Sequence, residues 1–288
     1  MSTRDKSAIP ARLERLAFQG WRDKTTSIAF IIPPMCQVPA STFTMGSDPS
    51  DPQAYPGDKG LYSIFVDTFA IGTYPVTVAE YALAVQAGAV SRPQDPPDNG
   101  SPGAPWRDKY LTWELQKEQR ADHPVVCVSW QEARAYCRWL AQVSGQPWRL
   151  PSEAEWEKAA RWDATHNHAR IYPWGDHWDK TRTNTHEEGP RITTPVGAYA
   201  EQGDASPYGC HDMAGNVWEW ANDAWYPNQP YDASKHENDA DTWRVLRGGS
   251  WRSPPGNVRA ACRIGMKWDV GDRAVGFRLA RSERAGTG

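Results

Sequence analysis

Proline and glycine recur so often in this sequence, 24 and 23 times in 288 residues, that most of its regular elements must be short. Much of the fold is therefore irregular backbone, and the polar groups of that backbone need partners. Tryptophan, present 16 times, offers a large apolar body and one N–H donor, which suits the joints of a loop-rich core. The tryptophan content is thus first a packing feature, and only a minority of these rings should face a ligand.

Three capping boxes punctuate the chain: Thr77-Val78-Ala79-Glu80, Ser129-Trp130-Gln131-Glu132 and Ser152-Glu153-Ala154-Glu155. In each, the hydroxyl accepts from the amide three residues on, and the Glu reaches back. The first predicts a helix to about Ala87, stopped by Gly88. After the second, Trp130, Ala133, Cys137 and Leu140 fall on one helical face, with Gly145 as the stop. After the third, Trp156, Ala159 and Ala160 continue a buried stripe. Ala11 to Phe18 predicts a short amphipathic helix, and Tyr110 to Arg120 has helical composition with little apolar content for a core element. Phe43 to Ser47 reads as a strand, Tyr62 to Tyr74 as a strand pair, and Asp48 to Gly60 and Ser91 to Trp106 as loops. Later strands are expected at Thr194 to Ala198, Val217 to Trp220, Arg244 to Leu246, Val258 to Arg263 and Val275 to Ala280. Residues 1–34 read as an extension, either a linker remnant or a partner-docking arm, and residues 35–288 as one domain.

A net charge of −3 with no basic run gives no reason to expect nucleic acid. No apolar run approaches the roughly 20 residues of a membrane span, and the charged first 21 residues do not resemble a signal peptide. A cytoplasmic protein is the expectation. Five cysteines at metal-unlike spacings predict small buried side chains rather than disulfides.

The chain is organised around Arg247-Gly248-Gly249-Ser250-Trp251, with Arg259-Ala260-Ala261-Cys262-Arg263 after it and Gly276-Phe277-Arg278 closing it. Arg252 to Ala274 has no helical or strand period and reads as a structured loop between two strands. Upstream come Met45-Gly46-Ser47, Pro75-Val76-Thr77, His123-Pro124-Val125 and Arg149-Leu150-Pro151-Ser152-Glu153-Ala154-Glu155-Trp156-Glu157. Pro173-Trp174-Gly175 and Gly215-Asn216-Val217-Trp218-Glu219-Trp220 complete the order. With these motifs the chain resembles the formylglycine-generating enzyme (sulfatase-modifying factor) superfamily, from about residue 36 to 281. The resemblance implies an α+β, C-type-lectin-like fold, two helices on small antiparallel sheets with long loops.

True formylglycine generators of this superfamily oxidise a substrate cysteine with oxygen and copper(I), held by a cysteine pair after Gly-Gly-Ser. Thiolates are the soft ligands that copper(I) prefers. Here the loop Trp251-Arg252-Ser253-Pro254-Pro255-Gly256-Asn257-Val258 has no cysteine, so no copper is expected. A second branch makes sulfoxides with non-haem iron, using histidines partly from an extra N-terminal domain that residues 1–35 cannot supply. The close pair His166 and His168 reads as an exposed insert. A third branch comprises the variable proteins of diversity-generating retroelements, which display the loop before Gly-Phe-Arg as a binding surface.

Structural calcium is a further implication of the resemblance. One site would use Asp212, the carbonyls of Gly215 and Val217, and Glu219. The other would use Asn184, the Thr185 carbonyl, Glu188 and the Pro190 carbonyl. Carboxylates with carbonyls suit this hard cation. Ser250 has no evident His and Asp partners for a hydrolase triad, and Glu187-Glu188 beside His186 reads as a solvated loop. Arg259, Arg263 and Arg278 read as structural, and Arg252 as a ligand contact. The leading expectation is a non-catalytic domain, a pseudoenzyme. It would bind a protein, peptide or small molecule in a cleft lined by Trp218, Ser250, Trp251, Arg252 and Trp268. The alternatives are a metal-dependent oxidoreductase of the same superfamily and a retroelement variable protein.

Overall fold

The computed structural model describes residues 3–54, 59–94, 113–226 and 243–282. Strands β1 (Arg4–Lys6), β2 (Gln19–Asp23) and β3 (Ala29–Ile32), with helix α1 (Ala11–Arg15), make a small antiparallel unit from the first residues. It is folded onto the rest of the chain: Phe30 joins the main core, and Leu13, Phe18 and Ile31 pack with Tyr74 and Val196.

Next come β4 (Met35–Val38), β5 (Ser41–Ser47), β6 (Gly60–Val66) and β7 (Phe69–Gly72). Tyr62 to Tyr74 thus holds two strands, but they do not pair with each other. β6 completes a hairpin with β5, and β7 enters another sheet beside β4. Helix α2 (Val78–Gln86) follows the first capping box, where Thr77 N donates to Glu80 Oε2 at 2.7 Å and Thr77 Oγ1 accepts from Glu80 N at 3.3 Å. Helix α3 (Trp113–Gln119) contributes Trp113 to the main core, against the expectation that its stretch is too polar.

Helix α4 (Trp130–Ser144) and α5 (Glu153–Arg161) also start in complete capping boxes, and Gly145 ends α4 at φ +67°. Each cap is worth roughly 1 kcal/mol. The predicted face of α4 is buried as expected. β8 (Trp148–Arg149), β9 (Trp162–Asp163) and β10 (His168–Ala169) are two-residue strands. Then come β11 (Trp218–Ala224), β12 (Trp243–Arg247), β13 (Arg263–Lys267), β14 (Val275–Gly276) and β15 (Ala280–Ser282).

The four-stranded sheets run β13-β12-β11-β14 and β4-β7-β15-β8. All pairs are antiparallel except β11 with β14. The expected strand at Thr194 to Ala198 is irregular backbone and turn, and in that at Val258 to Arg263 a 3-10 turn (Pro255–Val258) gives way to bends and turns, with strand only from Arg263. The stretch from Val275 to Ala280 divides between two sheets. Arg252 to Ala274 is not loop throughout, because β13 pairs with β12 over five registered residues. Of the predicted loop Ser91 to Trp106, only residues 91–94 lie within the described residues.

Tryptophan works as the composition implies. Trp130 Nε1 donates to the Ala221 carbonyl at 2.9 Å, Trp220 Nε1 to that of Val128 at 3.0 Å, and Trp148 Nε1 to Ser144 Oγ at 2.8 Å. The five cysteines are buried and unbridged. Among the described residues no helix is long and apolar enough to cross a membrane.

Candidate functional site

The turn after β12 needs both of its glycines. Gly248 and Gly249 adopt φ +91° and +73°, and a Cβ on Gly249 would lie 2.4 Å from Val258 Cγ1 and 2.8 Å from the Asn257 carbonyl oxygen. The turn is sewn to its neighbour by Gly215 N donating to the Gly248 carbonyl at 2.8 Å and Trp251 N to that of Asn216 at 3.1 Å.

Beneath it lies a buried network of arginines and glutamates. Arg247 pairs with Glu157 through Nη2 and donates to the carbonyls of Ala260, Ala261 and Cys262. Arg263 grips Glu153 at 2.6 and 2.8 Å. Arg278 grips Glu219 at 2.5 and 2.7 Å and also donates to the Gly72 and His211 carbonyls. Arg259 reaches Ser47 Oγ and Asp51. Arg259, Arg263 and Arg278 are therefore braces, as their sequence context implies.

The five residues expected to line one cleft are distributed differently. Trp218 belongs to the main core. Ser250 is buried, and its amide donates to Ser253 Oγ at 3.0 Å. Trp251 is buried, its indole N–H reaching the Arg273 carbonyl at 3.4 Å, and it borders a small cavity with Gln116, Arg120 and Thr193. Arg252 lies over the Trp251 ring, 4.6 Å from its centroid, and pairs with Asp272 at 3.3 Å at the surface. Trp268 borders another cavity, of about 600 Å³, beside α4. Trp251 and Arg252 are brought together, while Trp268 is not placed with them. The larger cavity was not foreshadowed by any motif, although the spacing of Trp130, Arg134 and Arg138 on one face of α4 was visible.

The two calcium sets also differ. Both oxygens of Glu219 are taken by Arg278, and Oε2 accepts from Trp156 Nε1 at 2.7 Å as well. Asp212 Oδ2 accepts from Gly197 N, and burial pushes its carboxyl up to about 7, with the Asp204 charge adding to the rise. A carboxylate already held by a guanidinium does not fit the first set. In the second set Asn184 Oδ1 is buried with no hydrogen bond, an orphaned hard acceptor. Gly189 makes room there, since a Cβ on it would come within 2.3 Å of that oxygen. Glu188 is near the surface with Lys180 at 3.2 Å, and its carbonyl accepts from Thr185 N at 3.0 Å. Within this set Asn184 Oδ1 is the oxygen that would suit a hard cation, while the Glu188 carboxylate is paired with Lys180.

His166 binds Asp163 and His168 binds Asp176, so the two imidazoles serve different carboxylates. Among the described residues no group of three or more His, Cys, Asp or Glu side chains is placed to hold a metal.

A family model described as "Sulfatase-modifying factor enzyme 1-like domain" matches residues 24–283. The chain belongs to this family, and its fold is the α+β, C-type-lectin-like one that the motifs imply. The chain is 30% identical to the inactive Cα-formylglycine-generating enzyme 2 of Bos taurus, over 85% of this chain and 87% of that protein. It is 31% identical to the formylglycine-generating enzyme of Streptomyces coelicolor, over 85% and 88%. The solved structure of PvdO from Pseudomonas aeruginosa superposes with a TM-score of 0.69 at 28% identity, covering 87% of this chain and 95% of that one.

Proposed function

We propose that this chain is a non-catalytic formylglycine-generating-enzyme-like domain that holds a protein, peptide or small ligand at the surface around Trp251 and Arg252. The observation that carries this reading is the loop after Gly248-Gly249. Ser253 stands there with its hydroxyl bonded to the Ser250 amide, the loop contains no thiol, and Cys262 beyond it is buried and single. Hydroxyl and guanidinium groups do not supply the soft donors that copper(I) selects. The similarity to an inactive relative supports the same reading.

The rival is a metal-dependent oxidoreductase of the same superfamily, favoured by an equal similarity to an active relative. Two measurements decide. The purified protein is analysed for copper and iron, then incubated with copper(I), oxygen and a cysteine-containing sulfatase-type peptide. Binding predicts neither stoichiometric copper or iron nor formylglycine; any of these overturns it.

Calcium would be held at Asn184 and Glu188 with the Thr185 and Pro190 carbonyls, bracing the loop rather than performing chemistry. Adding calcium after chelation should then raise the melting temperature, and Asn184→Ala should abolish the increment. The unbridged cysteines suit a reducing compartment, which supports the cytoplasm as the proposed location.

A further inference from the structure

The hairpin of β5 and β6 has two unlike edges. On β5, Gly46 N donates to Glu157 Oε1 at 2.7 Å, and the Gly46 carbonyl accepts from Arg161 at 2.8 Å. Helix α5 thus takes up the backbone on that side. Gly46 is registered opposite Leu61. A residue that spends both backbone groups away from its partner strand sits in a non-hydrogen-bonded pair, so Leu61 also turns its amide and carbonyl away from the hairpin. By alternation Ser63 and Phe65 do the same. Among the described residues, β5 is the one strand that pairs with β6. The pairing runs through seven registered residues without a bulge, and neither a charge nor a proline falls between Gly60 and Val66. Bulges, charges and prolines are the devices that ordinarily blunt a free edge, whose amides and carbonyls otherwise accept another strand.

The side chains of this edge complement themselves. Lys59, Leu61, Ser63, Phe65 and Asp67 are exposed, in strict alternation with Gly60, Tyr62, Ile64 and Val66, which are buried or half-buried. Leu61 and Phe65 are 52% and 63% exposed. Outward from Ser63, the exposed row is apolar on both sides and ends in opposite charges. Laid antiparallel to itself about Ser63, it sets Lys59 opposite the partner's Asp67, Leu61 opposite the partner's Phe65, and Ser63 opposite the partner's Ser63. In that register the outward amides of Leu61, Ser63 and Phe65 each meet a carbonyl of the other copy.

We propose that β6 is a self-association edge, through which two copies of this chain join antiparallel about Ser63 into one sheet of order β5-β6-β6-β5. A foreign strand could make the same backbone bonds, but a row that matches itself in charge and in apolar content singles out a second copy. Seven residues a side make a small seam, so the dimer is reversible and forms at micromolar concentrations. The proposal does not rest on the loop reading above, because none of these residues belongs to the loop after Gly249.

The test is sedimentation velocity of the full chain over a range of micromolar concentrations. A monomer–dimer equilibrium with no larger species is expected. Lys59→Asp sets like charges face to face at both ends of the seam and should weaken the dimer by about tenfold. Adding Asp67→Lys should restore most of that loss, because the pairs return with their signs exchanged. Circular dichroism checks that both variants are folded, since Asp67 also favours the charge of the buried Lys158. A short bis-maleimide cross-linker reads the register separately. Ser63→Cys should cross-link to its own copy, the two Cα atoms being about 5.5 Å apart in a hydrogen-bonded pair. Thr42→Cys, exposed on β5, should not, lying at least three strand spacings, about 14 Å, from its copy. The five native cysteines are buried and contribute little background. A monomer at every concentration, indifference to Lys59→Asp, growth beyond a dimer, or cross-linking of Thr42→Cys as efficient as that of Ser63→Cys overturns the proposal. The cross-linking pair decides even where the charge-exchanged variant does not fold. Any of these failures leaves the loop reading standing, since metal content and the formylglycine assay decide that one separately.

Discussion

Glu219 and Glu80 are both fully buried glutamates, yet they solve burial in opposite ways. Glu219, on β11, has a guanidinium across both of its oxygens and an indole N–H on one of them. Glu80, at the start of α2, has two bonds from Thr77 on one oxygen and no partner on the other. Among the described residues no cation faces it. Burial pushes its carboxyl up to about 7, with the Thr77 bonds opposing the rise. The first glutamate joins distant segments, reaching the Arg278 brace and α5, and the second serves only its own helix end. The rim shows a third arrangement, where Arg252 and Asp272 pair in solvent.

The contrast breaks most sharply at Glu219. Glu219→Ala strands the Arg278 charge in the core, and the expected loss is about 3–5 kcal/mol in chemical denaturation. A loss below about 1 kcal/mol would show the brace to be dispensable. The turn above the network comes next. Gly249→Ala forces a side chain into a left-handed conformation and against Val258, with an expected cost of about 1–3 kcal/mol.

Glu80 makes the pH test. Its folded value lies above the ordinary 4.5, so the folded state holds this proton more tightly than the unfolded chain between pH 4.5 and about 7. The stability it contributes is fully present below about pH 4.5 and is lost as pH rises to about 7. Glu80→Gln should flatten that part of the stability profile; an unchanged slope would show that Glu80 is ionised when folded. Smallest is Arg252→Ala, a surface pair worth roughly 0–1 kcal/mol, which should leave the melting temperature nearly unchanged. A large destabilisation there would make Arg252 another brace rather than a ligand contact.

The helices were legible in the chain because their signals are local. Each capping box lies within four residues, and each apolar face repeats within one or two turns. Strand partners were less legible. Nothing in Tyr62 to Tyr74 states that its two halves join different sheets, and in Arg263 to Lys267 the alternation of Ile264 and Met266 with polar or small residues is too short to stand out from the irregular stretch around it. Composition also misled at Trp113, where one buried ring anchors an otherwise polar helix.

The sequence by itself determined the three capped helices, the family and its fold, the bracing arginines, and a Gly-Gly-Ser loop without thiols. These depend on residue identity, short spacing and motif order. Tertiary structure alone decided that Glu219 faces Arg278 rather than a metal ion, that Asn184 keeps an unmatched oxygen, and that Trp268 and Trp251 border different cavities. It also decided that Arg244 joins Trp130, Arg134 and Arg138 around one cavity. The physical reason is that each of these depends on which distant segments meet, and close packing in three dimensions sets that choice.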